Sequence, residues 1–93
     1  MIKSFKGKET KKIFSGEFSK KFPQNIQHRT LHRLEMLSNA ANINDLRIPP
    51  SNCLEALSGD KLGQFSIRVN DKYRVCFEWK NNCAENVELV DYH

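Results

Sequence analysis

Phe65-Ser66-Ile67-Arg68-Val69-Asn70-Asp71-Lys72-Tyr73-Arg74-Val75-Cys76-Phe77 holds two alternating runs on either side of Asn70-Asp71-Lys72. Phe65, Ile67 and Val69 form one apolar face, with Ser66, Arg68 and Asn70 on the other. Tyr73, Val75, Phe77 and Trp79 repeat the pattern against Arg74, Cys76 and Glu78. Period two with bulky or β-branched residues on one side is the mark of half-buried strands. So short a connection predicts an antiparallel hairpin. Both apolar sets must share one face, and a slip of one residue would turn every side chain over. That requirement pairs Val69 with Tyr73, Ile67 with Val75 and Phe65 with Phe77. Arg68 then lies directly opposite Arg74, away from the core. Like charges across strands repel. Three arrangements accommodate them: an anion such as a phosphate between two bidentate forks, a carboxylate such as Glu78 beside them, or splaying into solvent. Spacing alone leaves all three open.

Upstream of the hairpin, residues 2–5 alternate and read as a short strand, punctuated by Gly7. Residues 9–14 read as a short helix that stops near Gly16. A second helix begins around Pro23, which suits a first turn. Its stripe of Ile26, Leu31, Leu34, Leu37 and Ala41 faces a core. Residues 42–50 read as a connector bounded by Pro49-Pro50. Leu54 and Ala56 then alternate with Cys53 and Glu55, which sets Glu55 on the polar face, and Ser58-Gly59-Asp60 forms a turn. Downstream, residues 80–85 read as a polar loop and 87–92 as a final strand, with Tyr92 sharing a face with Glu88 and Val90. A strand, two helices and then successive strands predict an α+β fold. The expected form is an N-terminal strand and two helices on one face of a mainly antiparallel, four- to five-stranded twisted sheet. The other face is polar, and function is expected there.

The chain has 93 residues, 39% of them apolar and 10% aromatic. Residues 1–93 are therefore expected to form one domain, and disordered, collagen-like and disulfide-scaffold classes are excluded. No apolar run nears the ~20 residues that span a bilayer. No apolar stretch of roughly 7–15 residues follows the basic start, so no secretory signal is expected. Cys53, Cys76 and Cys83 have neither disulfide-like nor metal-like spacing, which favours a reducing cytoplasm. His28 and His32 lie four apart on a helix without a third ligand at metal spacing, so they are read as solvated and no metal is expected. Neither a phosphate-binding glycine loop nor a Ser-His-Asp order is present. The net charge of +4 is unevenly placed. Residues 1–36 carry nine Lys or Arg against three acids, and residues 37–93 six against eight. A basic helical half fits a polyanion, an acidic protein partner or simple solvation, and charge does not separate them.

Four stretches together resemble the HigB toxins of the RelE superfamily. They are Met1-Ile2-Lys3-Ser4-Phe5-Lys6, Leu54-Glu55-Ala56-Leu57-Ser58-Gly59-Asp60, the hairpin run from Phe65 to Phe77, and Val87-Glu88-Leu89-Val90-Asp91-Tyr92-His93. The Ser-Ile-Arg…Tyr-Arg run and the closing Asp-Tyr-His are the most specific parts. The chain departs from many relatives, which read Leu-His-Pro-Leu-Lys-Gly-Asp where this one has residues 54–60. Glu55 thus replaces a histidine and Ser58 a lysine, and Lys61 is placed to compensate for Ser58.

The resemblance implies a RelE-like fold and a cytoplasmic toxin of a type II toxin–antitoxin system. Such a toxin enters the 70S ribosome and cleaves mRNA in the A site without a metal or other cofactor. The substrate 2′-hydroxyl attacks the adjacent phosphate, which needs a base, cationic donors and an acid. By the resemblance, Arg68 and Arg74 supply the cations, and Asp91, Tyr92 and His93 form the terminal functional triplet. Glu55 is either a base or the mark of a family branch, and its place on the polar face beside the arginines also allows a structural salt bridge to Arg68. Lys8, Lys11, Lys12, Lys20, Lys21, Arg29 and Arg33 are expected to touch 16S ribosomal RNA. Lys61 and Asn70 complete the expected RNA-contacting set. The implied partner is a HigA antitoxin, through which alone operator DNA is engaged. Two alternatives share the fold: a gyrase inhibitor resembling ParE, and a ribosome-binding domain that has lost cleavage.

Overall fold

A computed structural model of the chain describes residues 1–91. Its helices are α1 (Lys8–Phe14) and α2 (Gln24–Asn39), and its strands are β1 (Glu55–Ala56), β2 (Gln64–Arg68), β3 (Tyr73–Lys80) and β4 (Cys83–Asp91). Three 3₁₀ turns, Ile43–Arg47, Pro50–Asn52 and Gly59–Lys61, fill the long connection before β2. The strands form one sheet in the order β1-β2-β3-β4, antiparallel at each step. This is the α+β architecture expected.

The β2–β3 hairpin adopts the register that its apolar alternation demands: Phe65 pairs with Phe77, Ile67 with Val75 and Arg68 with Arg74. The turn is closed by the N–H groups of Val69 and Asn70, which donate to the Tyr73 carbonyl at 2.9 and 3.2 Å. Asn70 Oδ1 accepts from the N–H groups of Lys72 and Tyr73 at 2.9 and 2.8 Å, so the side chain serves as a local turn acceptor. Ile67, Val69, Val75 and Phe77 are fully buried on the face covered by the helices. Leu34 and Leu37 of α2 and Ile13 of α1 complete that core.

Four details depart from the sequence expectation. The first residues form no full strand but two parallel bridges to β4, Ile2 with Ala84 and Phe5 with Val87. Between them Asn86 sits in the left-handed region at φ 53°, and its N–H donates to Ser4 Oγ at 2.9 Å. A side chain thus stands in for the missing ladder. Secondly, the polar loop at 80–85 shrinks to Asn81-Asn82, both left-handed at φ 52° and 60°, so that β4 starts at Cys83. Two such residues match the twist of a tight hairpin, and asparagine tolerates that conformation. Thirdly, Ala41 is exposed, because α2 ends at Asn39 and the extended Ala40 takes the buried place. Lastly, β4 bulges at Asn86-Val87: Glu78 pairs with Glu85, but Cys76 pairs with Glu88. Beyond the bulge, Glu88 and Val90 stand opposite Cys76 and Arg74 and share their face. The expected place of Tyr92 beside them lies outside the described residues, as does His93. Among the described residues no helix is long and apolar enough to cross a membrane.

Candidate active site

The sheet face away from the helices carries two rows of side chains that run across the strands. Glu55, Ser66, Cys76 and Glu88 form one row, and Arg68, Arg74 and Val90 the next. Each row follows from residues of one parity in successive antiparallel strands. The two guanidiniums that the sequence places opposite one another therefore do rise from the same face.

Their surroundings explain how neighbouring like charges coexist. Arg74 lies back over β2, where Nε donates to Ser66 Oγ at 2.7 Å and Nη2 donates to the Cys53 carbonyl at 2.6 Å. Arg68 leans the other way, toward the turn, and pairs with the exposed Asp71. Among the described residues, the carboxylate paired with Arg68 is thus Asp71 and not Glu78. Glu78 stands at the far end of β3, where it accepts from Asn86 at 2.9 Å and pairs with Lys80 at 3.2 Å. Those contacts, the Asn86 hydrogen bond foremost, hold its carboxyl below the usual range. Nor is Glu55 the ion-pair partner of Arg68; it is exposed and stands across from Ser66.

Cys53 brings its carbonyl to Arg74 by adopting a left-handed conformation, φ 46° and ψ 53°. Cys76, beneath this cluster, is buried, and burial pushes its thiol pKa up, while Lys61 and Arg74 pull it back. Lys61, on the Gly59–Lys61 turn, lines one hollow with Glu88, the ladder partner of Cys76. At the end of β4, Asp91 pairs across the ladder with Tyr73, and its carboxylate is 3.7 Å from Lys72 Nζ. It stands next to the arginine row but on the other parity.

The basic helical half divides in two. Lys8, Lys11, Lys20 and Lys21 are exposed, and Lys12 pairs with Glu9 at 3.5 Å. Arg29 and Arg33 instead reach the hairpin, donating to the carbonyls of Val69 and Arg68 at 3.2 and 2.9 Å. Burial, then the nearby charges of Arg29 and Arg68, lowers the Arg33 pKa. Arg29 and Arg33 thus join Arg68 and Arg74 at the hairpin. Sequence reasoning missed Ser66, Asp71 and the Cys53 carbonyl as partners of the arginines. Ser66 was visible as a polar residue two before Arg68, but nothing marked which way Arg74 would lean.

Helices on one sheet face and a pair of hydrogen-bonded arginines on the other define a small α+β protein. The family described as the RelE-like toxin of the type II toxin–antitoxin system HigB matches residues 3–93. A protein of Vibrio cholerae named Toxin HigB-1 is 43% identical over 67 residues, covering 72% of this chain and 70% of its own. A Proteus vulgaris protein named Endoribonuclease HigB is 33% identical over 93 residues, the full length of both chains. An uncharacterized Haemophilus influenzae protein is 40% identical over 74 residues, which is 80% of this chain and 73% of that one. The chain belongs to the HigB-like toxin family. Membership of a type II toxin–antitoxin family implies an antitoxin as partner.

Proposed function

We propose that this protein is a ribosome-dependent endoribonuclease that cleaves mRNA in the A site and is neutralised by a HigA-like antitoxin. The observation that carries the reading is the Arg68–Arg74 cross-strand pair on the face left bare by the helices. The relative named Endoribonuclease HigB, aligned over the full chain, supports the same chemistry.

In that chemistry the 2′-oxygen of one nucleotide forms a bond to the adjacent phosphorus, and the bond from phosphorus to the 5′-oxygen breaks. The products are a 2′,3′-cyclic phosphate and a free 5′-hydroxyl. A base takes the 2′-hydroxyl proton, and an acid gives one to the leaving oxygen. Charge builds on the non-bridging oxygens, where Arg68 and Arg74 donate. The Arg68–Asp71 pair is no obstacle, because an exposed surface pair contributes only about 0–1 kcal/mol and a phosphate offers a charged bidentate acceptor in its place. Ser66 and the Cys53 carbonyl hold Arg74 in position before substrate arrives. Asp91, Tyr92 and His93 supply the proton chemistry and orient a base, with Glu55 as the other candidate for the proton acceptor. A histidine is the side chain best suited to exchange a proton near neutral pH, which fits His93 to either proton role. Exposed α1 lysines dock ribosomal RNA.

The test is induction of the chain from a tight promoter, with mRNA 5′ ends mapped in wild type, Arg74→Ala and a deletion of Tyr92 and His93. Codon-phased ends that vanish in both variants are expected. Growth arrest without such ends defeats the nuclease reading, and arrest with supercoiling defects favours a gyrase target.

A further inference from the structure

Beside Asp91, at the end of β4, lies a hollow whose aromatic rings, Phe22 and Tyr73, have no part in the cleavage chemistry. Lys21, Phe22, Lys61, Tyr73, Glu88 and Asp91 are among the residues that line it. The Phe22 and Tyr73 rings meet edge to face with centroids 6.0 Å apart. Lys21 Nζ is 5.5 Å from the Phe22 centroid, and Lys72 Nζ is 5.9 Å from that of Tyr73. Two aromatic rings, each with an ammonium beside it, thus meet at one edge of the site. Val90, which pairs with Arg74 across the ladder, also lines the hollow, so the hollow adjoins the arginine row at the edge of β4.

The loop that carries Lys21 and Phe22 is held firmly. Gln27 is buried in the apolar face of α2, where an amide is costly unless every hydrogen bond is made. Its Oε1 accepts from the Ser19 N–H at 2.9 Å, and its Nε2 donates to the Ser19 and Phe22 carbonyls at 2.5 and 2.9 Å. Ser19 Oγ donates to Glu9 at 2.8 Å and accepts from the Lys21 N–H at 3.2 Å. A buried amide directed wholly at a loop fixes the backbone that carries Lys21 and Phe22 before any ligand binds. Aromatic rings beside mobile cations are what a single-stranded nucleotide requires: a surface for the base and a counter-charge for its phosphate.

We propose that this hollow is a nucleotide subsite, holding a nucleotide of the RNA strand next to the bond that is cut. The ligand class rests on the RNA-cleaving reading above. The base lies against Phe22, and Lys21 and Lys72 turn from the rings to the flanking phosphates.

The experiment titrates isotope-labelled toxin with a 2′-O-methyl RNA tetranucleotide, which cannot be cleaved, and follows the aromatic resonances. Saturable shifts of the Phe22 and Tyr73 rings are expected. Phe22→Ala should weaken binding on the order of tenfold, with Phe22→Tyr restoring it. Lys21→Gln, at an exposed position, should weaken binding about threefold at low salt and little at high salt. Rings that do not move, or a folded Phe22→Ala variant that binds like wild type, overturn the proposal. A hollow that takes the antitoxin but not the oligonucleotide overturns it as well. Codon-phased 5′ ends in cells, together with unmoved rings, reject the subsite alone; absence of those ends rejects the cleavage reading.

Discussion

Arg33 Nε donates to the carbonyl oxygen of Arg68 at 2.9 Å, so a helix on one side of the sheet grips the backbone of an arginine whose side chain serves the other. Arg33→Ala should lower stability by about 1 kcal/mol, the usual worth of a hydrogen bond from a partly exposed charged donor. For a domain of this size that is a Tm lower by roughly 4–8 °C. Thermal melts followed by circular dichroism check it. A variant that melts like wild type would show that the bond contributes nothing to the fold.

Ser66→Ala removes the hydroxyl that accepts from Arg74 Nε at 2.7 Å. Cleavage on programmed ribosomes should slow about tenfold, less than the 100-fold or more expected for Arg74→Ala, which deletes the proposed transition-state donor. The double variant should be no slower than Arg74→Ala, because Ser66 acts through that side chain. Full additivity would separate the two residues.

Cys76 is buried, and its thiol pKa is raised above the ordinary 9.0. The folded state therefore holds this proton more tightly than the unfolded chain does. Its contribution to stability is complete below pH 9.0 and declines as pH rises from there toward the folded value. Urea midpoints measured between neutral and alkaline pH should fall less steeply in Cys76→Ala than in wild type. Alkylation mapped by mass spectrometry should reach the exposed Cys53 well before Cys76.

Glu9 accepts from Ser19 Oγ at 2.8 Å, and this contact is the first cause of its lowered pKa. A carboxyl with a depressed folded pKa stabilises above its unfolded value and loses that contribution as pH falls through the folded one. Acid unfolding should accordingly begin at a higher pH in Ser19→Ala than in wild type. Identical acid transitions would remove Ser19 as the cause.

Docking of the exposed lysines on ribosomal RNA predicts a steep salt dependence. With about six phosphate contacts, affinity for ribosomes should drop on the order of a thousandfold between about 50 and 200 mM salt. Replacing Lys8, Lys11 and Lys20 by Gln should reduce the slope of log affinity against log salt by roughly 2–3. Filter binding across a salt series measures both, and a flat wild-type slope would end the docking idea.

The hairpin was legible because its alternation and three-residue connection leave one register that buries both apolar sets. Residues 81, 82 and 86 were not, because an asparagine reads as a loop whether it makes a two-residue turn, a bulge or a true loop. Only the left-handed backbone angles separate those outcomes. The same holds in the site. Parity placed Arg68 and Arg74 together, whereas the partner that each chose depended on non-local backbone. Arg74 reaches a carbonyl 21 residues away, at Cys53, where alternation shows the parity of the side chains but not the left-handed angles that aim the carbonyl. The stapling of the Lys21–Phe22 loop was hidden too, since Gln27 falls within an apolar stripe and reads as an interruption of it.

Cys53 occupies a backbone region that costs an ordinary residue roughly 1–2 kcal/mol, and it does so while aiming its carbonyl at Arg74. Glycine at position 53 would relieve that cost at the expense of a looser backbone. On the cleavage reading proposed above, selection for robust folding and selection for potency pull this position in opposite directions. A library screened for survival of heat should enrich Cys53→Gly, and the same library screened for growth arrest should discard it. For a toxin whose host must tolerate it, one strained peptide unit offers evolution a graded dial between abundance and harm.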